Sequence, residues 1–335
     1  MKIKSASDVF ELLGAYVPSA VLGSSLELGL FWKLAEKPMT ADALSSELNI
    51  PLNRCRYWLG ILLNLDLLQL DNGQYSVSEA ASASILSTFS QDAWHNIASQ
   101  SADSYPYLKN LSTAIHEPGD SLAAQGMDRK SYFQYLKEDP ERAKKFTRML
   151  YDFHQPLAGN LSEAINMDGV QRMMDLGGGS GIMSNAILKR SPEVLSTLVD
   201  IKNVCQAGKE IVSEFSTADR ISYFPADFMA EELPKGFDLI LECDVCVYTA
   251  DLFKKLKASL NPGGRLVIVD QFAPESGAVP PGRPLAWGFI GSLEDPDFAF
   301  PTAAEVTDLL LKAGFQIRSE TQLPDNWLLI DSVSD

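Results

Sequence analysis

The residues with the clearest chemical purpose lie in one stretch, Met174-Asp175-Leu176-Gly177-Gly178-Gly179-Ser180-Gly181, between a strand-like run and an amphipathic one. A glycine-rich turn between strand and helix lets backbone approach a ligand at the carboxyl end of the strand. A dinucleotide loop has the spacing G-x-G-x-x-G. Here Gly177 and Gly179 fill the first two positions and Ile182 stands at the third, so the pattern is G-x-G-x-G. Asp200 ends the next strand-like run, 25 residues after Asp175. A carboxylate there can accept two hydrogen bonds from a ribose diol. Asp227 follows the third such run, in Ala226-Asp227-Phe228-Met229. An acceptor beside an aromatic ring suits an adenine amino group with its base stacked. Each Asp alone is an ordinary turn residue, but three at successive strand ends describe a nucleoside site.

These residues need a scaffold, and the chain of 335 residues, 46% of them apolar, is long enough for about two domains. Its character changes near residue 170. Before that point it reads as helical: residues 18–35, a helix capped by Thr40, one opened by Pro51, and a long helix over 140–166. Asp71-Asn72-Gly73 turns a short hairpin, which completes a winged-helix pattern. After residue 170, the runs VQRMMDL, STLVD, ISYFPAD, FDLILEC and GRLVIVDQ alternate with amphipathic segments, predicting a mostly parallel sheet covered on both faces. FQIRSE and NWLLIDSV, close together around Leu323-Pro324-Asp325, predict an antiparallel hairpin at one edge.

Composition excludes some partners. Lys+Arg 28 against Asp+Glu 44 leaves a net charge of −16, which disfavours nucleic acid and anionic membranes as partners. Residues 1–100 carry 6 basic and 10 acidic side chains, so the winged-helix half is a poor DNA reader. No run of 18 unbroken apolar residues predicts a membrane span, and Asp8 and Glu11 interrupt any signal core. Four sparse cysteines predict free thiols in a cytoplasmic protein. Cys243 and Cys246 are formally C-x-x-C, but no second pair or neighbouring histidine completes a metal set. They are expected to be buried and inert, with no metal.

Taken together, DLGGGSG, LVDIKNV, PADFM and LNPGGRLVIVDQ resemble the S-adenosylmethionine-dependent O-methyltransferase family with an N-terminal dimerisation domain. That group holds plant caffeate-type enzymes, acetylserotonin methyltransferase and bacterial relatives acting on pigments. The resemblance implies a class I methyltransferase α/β fold, a Rossmann-like doubly wound sheet preceded by an all-helical winged-helix domain. It implies a dimerisation domain over 1–100, a helical connector lining the active site over 101–168, and a cofactor domain over 169–335. It also implies S-adenosyl-L-methionine as cofactor, a small-molecule acceptor and a homodimer. Carried over by motif, Asp175, Gly177, Gly179 and Gly181 belong to the loop around the methionine end, Asp200 holds the ribose, and Asp227 and Phe228 hold the adenine. Phe146, Leu150 and His154 form a helix face toward cofactor and acceptor, and Cys243 or Glu242 stands near a family lysine beside the adenosine.

One family feature is missing. O-methylating members carry a histidine base after the fourth strand, and alignment from Phe237-Asp238 places Val247 there. The chain has only His95, His116 and His154. Either the acceptor needs no deprotonation, or Tyr248, Asp244 or His154 serves as base, or the protein binds cofactor without methylating. The first is favoured. LELGLFWKLAEKP and NIPLNRCRYWL, with the absent base, resemble the S-methyltransferases of dimethylsulfoniopropionate synthesis, which methylate the thioether of 4-methylthio-2-hydroxybutyrate. Tyr151, Phe153, Tyr248 and Trp287 are then candidates to face a sulfonium, and Arg148 and Arg283 to hold a carboxylate. O-, N- or C-methylation of a secondary metabolite or pigment is the alternative, and an NAD(P)-dependent oxidoreductase the rival enzyme class. Calorimetric titration is expected to show binding of S-adenosylhomocysteine and none of NADH; the reverse result overturns the methyltransferase reading.

Overall fold

A computed structural model describes residues 3–127, 132–276 and 283–334, with the side chains of Tyr132, Arg283 and Pro284 left undescribed. Two compact units divide the chain, Met1–Lys109 and Asn110–Asp335.

The first unit is helical with a small sheet. It comprises α1 (Ala6–Gly14), α2 (Tyr16–Glu27), α3 (Leu30–Glu36), β1 (Met39–Thr40), α4 (Ala41–Glu47), α5 (Leu52–Asn64), β2 (Leu68–Asp71), β3 (Gln74–Val77), α6 (Glu79–Ala81), α7 (Gln91–Asp103) and α8 (Tyr105–Leu108). Thr40 caps α4 through its Oγ1, which accepts the Ala43 N–H at 3.2 Å. Asn72 and Gly73 both take positive φ, 50° and 79°, which matches a tight hairpin turn to the twist of β2 and β3. Leu30, Phe31, Leu44, Leu59 and Leu62 fill the core. α1 buries nothing: Phe10, Leu13 and Tyr16 beside it are 73%, 70% and 71% exposed. The stretch Ala6–Glu27 is also long and apolar enough, by composition alone, to cross a membrane, which the sequence reading did not expect.

The second unit begins with short helices α9 (Leu111–Ala114), α10 (Ser121–Ala124) and α11 (Tyr132–Glu138), then α12 (Pro140–Phe153) and α13 (Gln155–Ala164). The single helix expected over 140–166 is therefore two. The break falls at His154 because Pro156 has no N–H and its ring excludes the preceding turn from continuing. His154 thus ends α12 as its cap rather than extending the Phe146–Leu150 face.

The sheet follows: β4 (Arg172–Leu176), α14 (Ile182–Arg190), β5 (Leu195–Asp200), α15 (Lys202–Val212), β6 (Ile221–Pro225), β7 (Phe237–Cys243), α16 (Ala250–Lys257), β8 (Leu260–Asp270), α17 (Arg283–Glu294), α18 (Ala303–Lys312), β9 (Phe315–Gln322) and β10 (Leu328–Ser334). Its strand order is β6-β5-β4-β7-β8-β10-β9. β4 to β8 pair in parallel, and β10 lies antiparallel between β8 and β9. The expected edge hairpin is present. One core packs α13 and α14 on one face, through residues such as Leu161 and Ile187; another packs α16 and α18 on the other, through Phe253 and Leu310. The strand order reverses at β4, whose neighbours are β5 and β7, so a crevice opens beyond its carboxyl end.

Candidate active site

At that crevice the chain turns left-handed at Gly177, Gly179 and Gly181, with φ of 67°, 48° and 73°. A Cβ on Gly177 would come 2.8 Å from Val245 Cγ2, and one on Gly181 the same distance from Val212 Cγ2. Gly179 differs. Its added Cβ would meet only the Gly177 carbonyl at 3.7 Å and Asp200 Oδ2 at 3.9 Å, ordinary contact distances, so a side chain there is limited by backbone conformation rather than by space. Gly208 of α15 leaves no room for a side chain against the Gly179 carbonyl, which also accepts the Tyr223 hydroxyl at 3.1 Å. Both supports escaped the sequence reading, since neither lies in the motif.

Asp200 faces the loop. Its Oδ2 accepts the Gly179 N–H at 3.1 Å and its Oδ1 the Ile201 N–H at 2.7 Å. Burial pushes its carboxyl up to about 7. Asp227 accepts the Met229 N–H at 3.1 Å and the Lys137 ammonium at 2.7 Å, and the lysine holds its carboxyl below the usual range.

Two cofactor expectations need correction. Asp175 does not face a ligand: it is buried beneath the loop, accepts the Ser184 hydroxyl at 2.6 Å, and is pushed up to about 6 by burial. It anchors the start of α14. Phe228 is 6% exposed in the core beneath β6 and β7, so its ring is no open plate for a base.

Beyond β7, a short segment carries the reactive groups. Asp244 and Cys246 both take left-handed φ, 55° and 57°. Asp tolerates this conformation; Cys adopts it rarely, and such strain gathers at functional sites. Asp244 Oδ2 lies 2.8 Å from His154 Nε2, joining the end of α12 to the tip of β7. The buried imidazole meets Phe153 and Trp327 edge-on, at ring distances of 5.4 and 6.2 Å. The Tyr248 hydroxyl donates to Asp270 Oδ2, and so does Cys246 Sγ at 3.4 Å. Asp270, at the end of β8, is buried and pushed up to about 6. Among the described residues Glu242 is fully buried with neither carboxyl oxygen hydrogen-bonded, and burial, with Asp270 beside it, lifts its carboxyl well above the usual range.

This geometry corrects two more expectations. Tyr248 is not a base: burial and the adjoining Asp270 raise its phenol far above its ordinary value, so it keeps its proton and donates. Cys246 is exposed rather than buried, whereas Cys243 is half-buried at the end of β7 with its thiol raised well above the usual range. Asp270 was missed although it ends a parallel strand as Asp200 does.

The remaining candidates scatter. Phe146 and Leu150 are half-buried on α12, Phe146 against Leu136, Ile201 and Val204. The Arg148 guanidinium lies over the Tyr151 ring at 5.0 Å, and Tyr151 stacks on Phe215 at 5.9 Å, so these form a stack of their own. Trp287 is 66% exposed on α17 and does not close a pocket in this chain. Arg283 begins α17, and its side chain lies outside the described residues.

A left-handed glycine loop bonded to a strand-end carboxylate, and a second carboxylate one strand further, fit the methionine and nucleoside halves of S-adenosyl-L-methionine. Residues 108–316 match the O-methyltransferase domain family, more than half of the chain, and the protein belongs to that family. It is a methyltransferase that uses S-adenosyl-L-methionine and acts on a small-molecule acceptor. The chain is 26% identical over 272 residues to the N,N-dimethyltransferase OxyT of Streptomyces rimosus, covering 80% of this chain and 79% of that one. It is 25% identical over 317 residues to acetylserotonin O-methyltransferase of Bos taurus, covering 91% of each. The fold matches PigF solved with SAH at a TM-score of 0.83 and 19% identity, covering 99% of this chain and 100% of that one. It matches human N-acetylserotonin methyltransferase solved with SAM at 0.79 and 20%, covering 99% and 98%. The NAD(P) oxidoreductase alternative is set aside. Asp200→Ala is expected to weaken S-adenosylhomocysteine binding by about 1–3 kcal/mol, on the order of tenfold to a hundredfold, because ribose hydroxyls lose a buried acceptor. Calorimetry showing unchanged affinity would refute the assignment.

Proposed function

We propose that this enzyme methylates an acceptor that needs no deprotonation, most simply the thioether sulfur of a compound such as 4-methylthio-2-hydroxybutyrate. The observation that carries this reading is the state of the groups around the β7 tip. Val247 stands where the family's histidine base would be, Tyr248 is held as a donor to Asp270, and Glu242 is buried with no hydrogen-bond partner among the described residues. Gly177, Gly179, Gly181, Asp200 and Asp227 would hold the cofactor, which when bound supplies an electrophilic methyl group. Val245 touches the glycine loop, which brings its neighbours Asp244 and Cys246 beside the methionine end. A thioether lone pair forms the new carbon–sulfur bond, the donor's carbon–sulfur bond breaks, and no proton leaves the acceptor. The acceptor sulfur gains a positive charge, which Asp244 and Asp270 are placed to stabilise.

A second reading rests on His154 and Asp244. A carboxylate 2.8 Å from Nε2 orients an imidazole so that Nδ1 can take a proton, which suits a hydroxyl or amine acceptor. The pH dependence of kcat/KM separates the two. Thioether transfer is expected to stay flat on the acid side and to survive His154→Gln with less than about a tenfold loss. A base-dependent reaction falls about tenfold per pH unit below the base's pKa, and its appearance would sink the thioether reading.

We also propose that the chain forms a homodimer in the cytoplasm, with its first hundred residues as a winged-helix dimerisation domain and residues 101–168 lining the active site. Exposed Phe10, Leu13 and Tyr16 form an apolar face of the kind that a partner covers. The acidic charge argues against nucleic acid or anionic lipid as that partner. Phe10→Asp combined with Leu13→Asp is expected to shift sedimentation from dimer to monomer; a wild-type protein that sediments as a monomer refutes the proposal.

A further inference from the structure

Asp227 is the third strand-end carboxylate, and its partner comes from far away in sequence. Lys137, in the last turn of α11, reaches Asp227 Oδ2 at 2.7 Å while its ammonium lies 4.6 Å from the Phe133 ring centre. α11 is fixed in turn by the start of α15. The Asn203 amide donates to the Leu136 and Lys137 carbonyls at 3.0 Å each, and the Leu136 side chain packs with Ile201 and Val204. Asn203 lies only three residues beyond Asp200. One short helix is therefore tied at once to the helix that follows the strand ending in Asp200 and to the carboxylate expected at the adenine.

We infer that Lys137 is a positioning residue for the adenine: it clamps α11 across the nucleoside end and aims the Asp227 carboxylate at the base's amino group. A carboxylate has about four acceptor sites. Lys137 occupies one on Oδ2 and the Met229 N–H one on Oδ1, which leaves others for an amino donor while fixing the plane of the group. Without the lysine, this half-buried carboxylate is free to rotate toward water. The inference rests on the assignment of Asp227 to the adenine proposed above.

The test is calorimetric titration of the full-length protein with S-adenosylhomocysteine and with its inosine analogue, at low and high salt. Lys137→Met is expected to bind S-adenosylhomocysteine about three- to tenfold more weakly and to lose the salt dependence of the wild type. Lys137→Arg is expected to restore both. The inosine analogue, which lacks the 6-amino group, should bind the wild type and Lys137→Met alike. Unchanged or tighter binding of S-adenosylhomocysteine by Lys137→Met, with the melting temperature preserved, overturns the inference. Asp227→Asn tells the two failures apart. If it weakens binding while Lys137→Met does not, only the role of Lys137 falls. If it leaves binding unchanged, the adenine assignment falls and takes this inference with it.

Discussion

The left-handed backbone of Gly177, Gly179 and Gly181 is the constraint on which the site depends. L side chains rarely adopt this conformation, and at Gly177 and Gly181 a methyl group would also press on Val245 and Val212. Turning three times within five residues, the loop leaves β4 and starts α14 while bringing the backbone N–H of Gly179 onto the Asp200 carboxylate. Beneath it, Asp175 and Ser184 hold the first turn of α14, and Gly208 lets α15 close against the loop's underside. The cofactor end of the molecule is thus built from the absence of side chains at four glycines and from one buried carboxyl that no ligand needs to touch.

The acceptor end works by different physics. Acidic groups crowd the tips of β7 and β8, and among the described residues only His154 forms an ion pair with any of them. Burial and neighbouring carboxylates raise the Glu242 and Asp270 carboxyls above their ordinary values, while Tyr248 and Cys246 donate hydrogen bonds to Asp270. On the proposed reading, such a site suits an acceptor that becomes positive during the reaction. The same logic explains how a methyltransferase fold can dispense with an imidazole at the end of its fourth strand. Where no proton must leave, an apolar valine at that position costs nothing, and electrostatic stabilisation and placement remain the tasks of the protein.

Much of this was legible in the residues. The alternation of strand-like and amphipathic runs located every strand of the large sheet, because a buried parallel strand must be continuously apolar and its crossover helix amphipathic. Asp71-Asn72-Gly73 announced its hairpin because few residues other than Asn and Gly accept positive φ. The glycine loop and Asp200 were legible for the same local reason: their function depends on backbone conformation and on position at a strand end. Where local signals misled, long-range packing had decided the outcome. Pro156 split a helix that periodicity had joined. Phe228, adjacent to the half-buried Asp227, turned into the core because neighbouring side chains around a strand end diverge.

By itself, then, the order of residues determined the class of fold, the left-handed glycine motif at the end of β4 and the absence of a histidine after the fourth strand, all of which are properties of short segments. Only the tertiary structure decided that His154 meets Asp244, that Tyr248 donates a hydrogen bond to Asp270, that Lys137 reaches Asp227 and that Asp175 is an anchor. Each of the first three contacts joins elements from different places in the chain. Neither distance nor burial is encoded in spacing along the chain; both arise when the sheet stacks its strand ends side by side and the helices close over them.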